Sequence, residues 1–352
     1  MSPATLEAIK AVPKADLHMH LDGSVSKGVL EKVAGEHDVP LDQAILDNYP
    51  NAGPYDADAD PEEFKRFLDA FSLPLSIMKT PELIHATTLE VLRDLASQNV
   101  IYAEMRLAPS YVASAEHSME QMIASTLNAM SAGYEETGVL TKLIIAIPRE
   151  IDPQYVGDVS GNGLTAQDIV DAAMAFEGQG VVGIDLACAE HFGPEPYIDL
   201  FRATIGSQLR RTIHAGEAGP QQLRNIEIAV REMGADGIGH GLSLGGRGAE
   251  ALLDEIKAKG IRIERCPASN IAMNTTDGQL DHLGDLMKQE LLVSIGSDDY
   301  GIFGEQSRVA ENLFLVSQVL GLGTQGIRQL TKNALLSSFA SEDEKRALLR
   351  RF

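Results

Sequence analysis

The sequence predicts a (β/α)8 barrel with a helical insertion after its first strand and extra helices at its C-terminus. Short β-rich runs alternate with longer helical ones from about residue 100 onward, the pattern of repeated strand-helix units around a parallel sheet. With an early run at residues 14–20 the strands number eight, enough to close a barrel. Acidic and imidazole groups fall at the C-terminal ends of these runs, where such barrels carry their active sites.

The first strand is read over residues 14–20. The interval 24–80 is too long for one loop and one helix and contains the acidic, proline-bearing stretch 51–61. It is therefore expected to be an insertion folded as helices over the barrel mouth. Within it Phe64, Phe67, Leu68 and Phe71 recur at helical spacing, an apolar face for ordinary packing or for a lid over a ligand. A helix over 81–98 leads to a strand at 100–107, and one over 118–137 to a strand at 141–147. Helix 165–177 precedes strand 181–187. Strands at 211–216, 237–240, 261–265 and 291–297 complete the eight, with helices at 220–233 and 248–259 and more from 306 to the end. The sequence shows no repeat, low-complexity tract or linker, so one domain over 1–352 is expected.

With 352 residues, 44% of them hydrophobic, the chain can bury a large core. Its two cysteines, Cys188 and Cys266, make no disulfide framework, and there is no Cys-x-x-Cys to hold a structural zinc. A reducing cytoplasm fits best. The first ten residues have no apolar targeting core, and no run approaches the ~20 apolar residues of a membrane span. The net charge of −22 works against nucleic acid or anionic membrane as partners, because both are bound chiefly through Lys and Arg. Solubility by itself accounts for the acidity. Nothing in the sequence selects an oligomeric state.

His18 and His20 stand two residues apart on a strand, which points both imidazoles to one face. Such a pair in isolation is more often surface or satisfied core than a metal site. Four later segments change that balance. Residues 211–217 end a strand with His214 and place Glu217 just beyond; His240 lies between two glycines. Residues 291–300 form an apolar run that stops at Asp298 and Asp299, and 183–188 is another apolar run, ending at Cys188. Three imidazoles and one carboxylate suit Zn²⁺, and an open position for water makes such a site catalytic. Bound water would then lose a proton near pH ~7 rather than ~15.7. Glu217, His240 and Asp299 supply the acid and base that hydrolysis at a planar carbon needs.

The order and wording of these segments resemble the adenosine deaminase family of metal-dependent aminohydrolases. The resemblance runs through Asp16-Leu-His-Met-His-Leu-Asp-Gly-Ser24, Phe67-Leu-Asp-Ala-Phe71, Asp185-Leu-Ala187, His214-Ala-Gly-Glu217, Gly239-His-Gly241, Cys266-Pro267 and Ser297-Asp-Asp299. It implies one zinc per chain, held by His18, His20, His214 and Asp298. It implies that Glu217 protonates purine N1, that His240 takes the proton of the zinc-bound water, and that Asp299 hydrogen-bonds N7. Attack at C6 would expel ammonia. His20, Asp22, Phe67, Leu68, Phe71, Cys188 and Asp299 are the implied substrate contacts.

The implied substrate is a small purine nucleoside, adenosine or 2′-deoxyadenosine, because Asp22 stands where the family contacts ribose. Relatives acting on a free base often carry Glu there. Two departures point the other way: Cys188 replaces the usual glycine whose N–H meets N3, and Tyr300 replaces the usual proline. Adenine or a modified aminopurine is the rival substrate. A binuclear hydrolase of another kind would want a bridging lysine at a strand end, and none is found. An idle binding protein would not need both Glu217 and His240. The His-x-Glu and Pro-Cys-x-x-Cys arrangement of base-flipping zinc deaminases is missing.

Overall fold

The computed structural model describes residues 2–51, 53, 67, 70–149, 163–218, 221–273 and 279–352. Its strands are β1 (Lys14–His20), β2 (Val100–Leu107), β3 (Leu140–Pro148), β4 (Val181–Ala187), β5 (Arg210–Ala215), β6 (Gly237–His240), β7 (Arg262–Arg265) and β8 (Leu292–Ile295). They lie side by side in chain order and pair in parallel. The barrel closes at its top. Met19 bridges Asp298, His20 N–H donates to the Asp298 carbonyl at 3.1 Å, and Asp298 N–H donates to the His18 carbonyl at 2.8 Å.

Helices cover the outside because their apolar stripes match the sheet. Pro81–Ser97 buries Ile84, Val91, Leu92 and Leu95, and starts on a Thr80 cap. Met119–Thr137 starts on a Ser118–Gln121 capping box and stops at Gly138, whose φ of +71° suits a residue without a Cβ. Ala166–Ala175, Gln222–Arg231 and Glu250–Lys259 follow β3, β5 and β6 as the periodicity predicts. The C-terminal helices are Val309–Leu320, Thr324–Ser337 and Glu342–Leu349. Between β1 and β2 lie Lys27–Glu36, Gln43–Leu46 and Ser72–Ser76; Phe64 and Leu68 fall outside the described residues. No helix among the described residues is long and apolar enough to cross a membrane.

Two features differ from the sequence reading. Short helices at Ile198–Ala203, Pro267–Ala272 and Gln279–Lys288 follow β4 and β7, where the reading placed none; the first two have six residues each, too few for a clear period. Strand β8 stops at Ile295 instead of 297, because Asp298 at φ +57° leaves the extended conformation to turn its carboxylate inward.

The barrel interior is filled by charge as well as by aliphatic groups. Glu104 and Arg106 on β2 and Arg262 and Glu264 on β7 alternate onto the inner face, and all four are buried. Arg262 pairs with Glu104 and, at 2.7 Å, with Glu264; Arg106 pairs with Glu264 and, at 2.8 Å, with Asp185. Arg106 also donates to the Leu17 carbonyl at 2.9 Å, and Tyr102 to Glu104 at 2.8 Å. Buried charges are tolerable when paired and hydrogen-bonded in this way.

At the start of β1, buried Lys14 donates to the carbonyls of Ile9, Lys10 and Val12 at 3.2, 3.0 and 2.6 Å. Burial pulls its pKa down to about 8, from 10.5. Because the folded pKa lies below the unfolded one, the unfolded chain binds more protons between pH 8 and 10.5. This group therefore costs stability below pH 8, and the cost is relieved as pH rises through that window. Denaturation curves for the native chain and Lys14→Met should show a stability difference that changes by that slope; parallel pH profiles would refute it.

Candidate active site

The ends of β1, β5 and β8 bring His18, His20, His214 and Asp298 to one point at the barrel mouth. The Nε2 atoms of His18 and His214 are 3.1 Å apart, those of His20 and His214 3.2 Å. Asp298 Oδ1 lies 3.4 Å from His18 Nε2 and 3.5 Å from His20 Nε2. These separations approach the ~3.3 Å edge of a tetrahedron with ~2.0 Å metal–nitrogen bonds. His18, His214, His240 and Asp298 also present ligand atoms all within 4.8 Å of one another.

The outer nitrogens explain the inner ones. His18 Nδ1 is 2.9 Å from Glu264 and His214 Nδ1 is 2.9 Å from Asp185. A carboxylate there holds the proton on Nδ1 and turns the Nε2 lone pair inward, as a ligating histidine requires. Burial lowers the pKa of His214, and takes His20 and His240 well below the ordinary histidine value. These rings are therefore neutral, with lone pairs to give. Burial and Arg106 act the same way on His18, but hydrogen bonds to Asp298 and Glu264 raise it. Burial opposes ionisation of Asp298, yet His18, His240 and His20 hold it well below the usual carboxylate range. The donor set and its carboxylate backing fit a divalent ion.

Small residues make this convergence possible. A Cβ on Gly239 would meet His18 Cε1 at 2.9 Å, and one on Gly296 would meet His18 Cβ at 2.7 Å. The glycine before His240 thus makes room for another histidine.

Around the donors stand the remaining groups. His240 Nε2 lies 3.5 Å from Glu217 Oε2 and 3.9 Å from Asp298 Oδ2, with Nδ1 3.0 Å from the Asn270 amide. Asp299 is buried, its Oδ1 has no hydrogen-bond partner among the described residues, and burial followed by Asp298, Asp22 and Glu217 raises its pKa well above 3.8. It can therefore be a protonated donor. Asp22 is buried beside it, across Gly23, where a Cβ would lie 1.7 Å from Asp299 Oδ1.

Cys188 takes φ +69°, a left-handed backbone suited to glycine, and its thiol lies 3.8 Å from the Tyr111 hydroxyl. Phe67 stacks on Phe303 with ring centroids 5.4 Å apart, and Phe71 meets Phe67 edge-on at 5.2 Å. Since Phe303 follows Asp299 by four residues, the insertion reaches the mouth. Tyr300 is buried.

The sequence reading missed Arg106, Glu264, Asn270 and Ser269, whose hydroxyl donates to Asp298 at 2.6 Å. A signal existed for the first two. Glu104 and Arg106 are charges two apart in an otherwise apolar strand, and Arg262 and Glu264 flank Ile263, so each pair shares one face.

Comparison with known proteins follows the same lines. An adenosine deaminase of Mycobacterium sp. (strain KMS) is 30% identical over 99% of this chain and 96% of its own. A crystal structure of adenine deaminase from Arthrobacter aurescens superposes with TM-score 0.79 at 25% identity, covering 97% of this chain and 98% of that one. The N6-methyl-AMP deaminase of Arabidopsis thaliana shares the fold, with TM-score 0.76 and 22% identity over 98% and 97% of the two chains. The family model named adenosine deaminase matches residues 13–352, a span that takes in every strand and every donor described above. With that match and that barrel mouth, the chain belongs to the adenosine deaminase family and is an aminohydrolase.

Proposed function

We propose that this enzyme hydrolyses the C6 amino group of adenosine and 2′-deoxyadenosine, giving inosine or 2′-deoxyinosine and ammonia. The observation that carries the reading is the set of converging imidazoles with Glu217, His240 and Asp299 ranged around it. His18, His20, His214 and Asp298 would hold one Zn²⁺, which suits three nitrogens and one oxygen. When bound, the ion supplies a water whose pKa is lowered toward ~7. His240, neutral and aimed inward, accepts a proton from the attacking water and returns it to the amino nitrogen, which leaves C6 as ammonia. Glu217 donates a proton to N1, so that the electron pair displaced by attack at C6 has a place to go. Asp299 donates to N7 through the oxygen that has no partner among the described residues. The N–H of Cys188 meets N3, and Phe67 and Phe71 exclude water from the base.

Asp22 favours a nucleoside, because a carboxylate at the mouth is satisfied by a ribose hydroxyl. A site built for a hydroxyl penalises an analogue without it. One observation favours the second reading, deamination of adenine or another aminopurine: Cys188 carries a side chain on a backbone shaped for glycine, and at the proposed N3 position that side chain would narrow the floor. Ammonia release from adenosine, deoxyadenosine, adenine, AMP and N6-modified aminopurines separates the two. Asp22→Ala should lower kcat/KM for adenosine far more than for adenine while metal content stays native. A native preference for adenine, or an equal fall for both, replaces the first reading by the second.

A further inference from the structure

Glu190 lies in the turn after β4, outside every role assigned above, and is 4% exposed. Its carboxylate accepts four N–H groups. Gly216 N–H donates to Oε1 at 2.6 Å, Glu217 N–H and Ala218 N–H donate to Oε2 at 2.6 and 2.9 Å, and Asn225 Nδ2 donates to Oε1 at 3.0 Å. Three consecutive backbone donors turned onto one carboxylate form a concave anion site, filled here by the protein itself. Asn225 belongs to the helix Gln222–Arg231, so Glu190 joins β4, the turn after β5 and the helix that follows.

That turn carries Glu217. Gly216 takes φ +79°, and a Cβ there would meet Ile226 Cδ1 at 2.5 Å, so the backbone is tightly packed. Arg149 holds the same segment from the other side, donating to the carbonyl of His214 while its own N–H donates to the Ala187 carbonyl at 3.1 Å. A carboxylate on the N–H groups and a guanidinium on the carbonyl leave little freedom at residues 214–218. Glu217 Oε2 is thereby set 3.5 Å from His240 Nε2.

We propose that Glu190 is a positioning residue for Glu217, fixing the backbone from which the acid reaches the purine. The proposal rests on the reading of Glu217 as proton donor. A carboxylate is required because it accepts at both oxygens. In Glu190→Gln the size is kept, but one oxygen becomes an NH2 facing backbone N–H groups, and the turn must move.

The test is a double-mutant cycle with Glu190→Gln and Glu217→Gln, reading kcat, KM and bound metal with adenosine or whichever aminopurine the native enzyme turns over fastest. Glu190→Gln is expected to lower kcat on the order of 10²-fold, the cost of misplacing a catalytic group by about 1 Å. KM and metal content should stay near native. In the Glu217→Gln background the same change should cost less than about 3-fold, since independent sites add and a shared pathway does not. An equal factor in both backgrounds, or an unchanged kcat in the single variant, overturns the proposal and leaves the Glu217 assignment standing. Near-native turnover of Glu217→Gln alone overturns that assignment and the proposal with it. If Glu190→Gln loses metal or melts below assay temperature, Glu190→Asp takes its place in the cycle. It keeps both acceptors on a shorter arm, and its smaller kcat loss must also vanish in the Glu217→Gln background for the proposal to hold.

Discussion

Glu217→Gln should retain its metal and lose about 10² to 10⁴ in kcat, the usual range for a missing general acid. The amide matches the carboxyl in shape and can still hydrogen-bond, so binding of the purine should change much less than turnover. None of the metal-facing atoms belongs to Glu217 in the proposed set, and the backbone N–H that Glu190 holds is untouched by the substitution. The measurement is steady-state deamination beside metal analysis of the same preparation. Full metal with near-native kcat would remove Glu217 from the mechanism; lost metal would place it among the ligands.

Arg106→Met should be the most destabilising single change in the barrel. The guanidinium lies between Asp185 and Glu264, and all three are fully buried. Removing it leaves Asp185 without its guanidinium and Glu264 with Arg262 alone, a loss of about 3–5 kcal/mol for a broken buried pair. The effect should reach the metal, because those carboxylates hold Nδ1 of His214 and His18. Without Arg106 each carboxylate loses one of the charges that hold its pKa down against burial, and a protonated carboxyl is a poorer partner for a ring N–H. Metal affinity should fall by about 10–100-fold, as for other changes behind the ligands. Chemical denaturation and a competitive chelator titration check the two effects separately. A native midpoint with native metal affinity would show that Asp185 and Glu264 do not depend on Arg106.

Much of the site was legible because its chemistry is local in the chain. His18 and His20 share a face by strand alternation, and Glu217 follows His214 within one turn. Asp298 and Asp299 are adjacent but face different tasks, and here local reasoning ended. Asp298 turns inward at φ +57°, toward three imidazoles that hold its pKa down, whereas burial beside Asp298, Asp22 and Glu217 pushes Asp299 up. The sequence places the two side by side; their opposite shifts follow largely from groups that other strands and loops bring to them.

The strand-helix alternation and the motif residues at the strand ends determined the barrel and the end of it at which the candidate site residues stand, because hydrophobic period and residue type are properties of short segments. Only the tertiary structure decided which carboxylates stand behind which histidines. Glu264 backs His18 from 246 residues away and Asp185 backs His214 from 29. It also showed that Arg106 pairs with both carboxylates and that Glu190 accepts from the backbone of the turn bearing Glu217. Such pairings depend on which inward-facing residues share a layer once eight strands have closed. That layer is set by register and barrel shear, which no window of sequence contains.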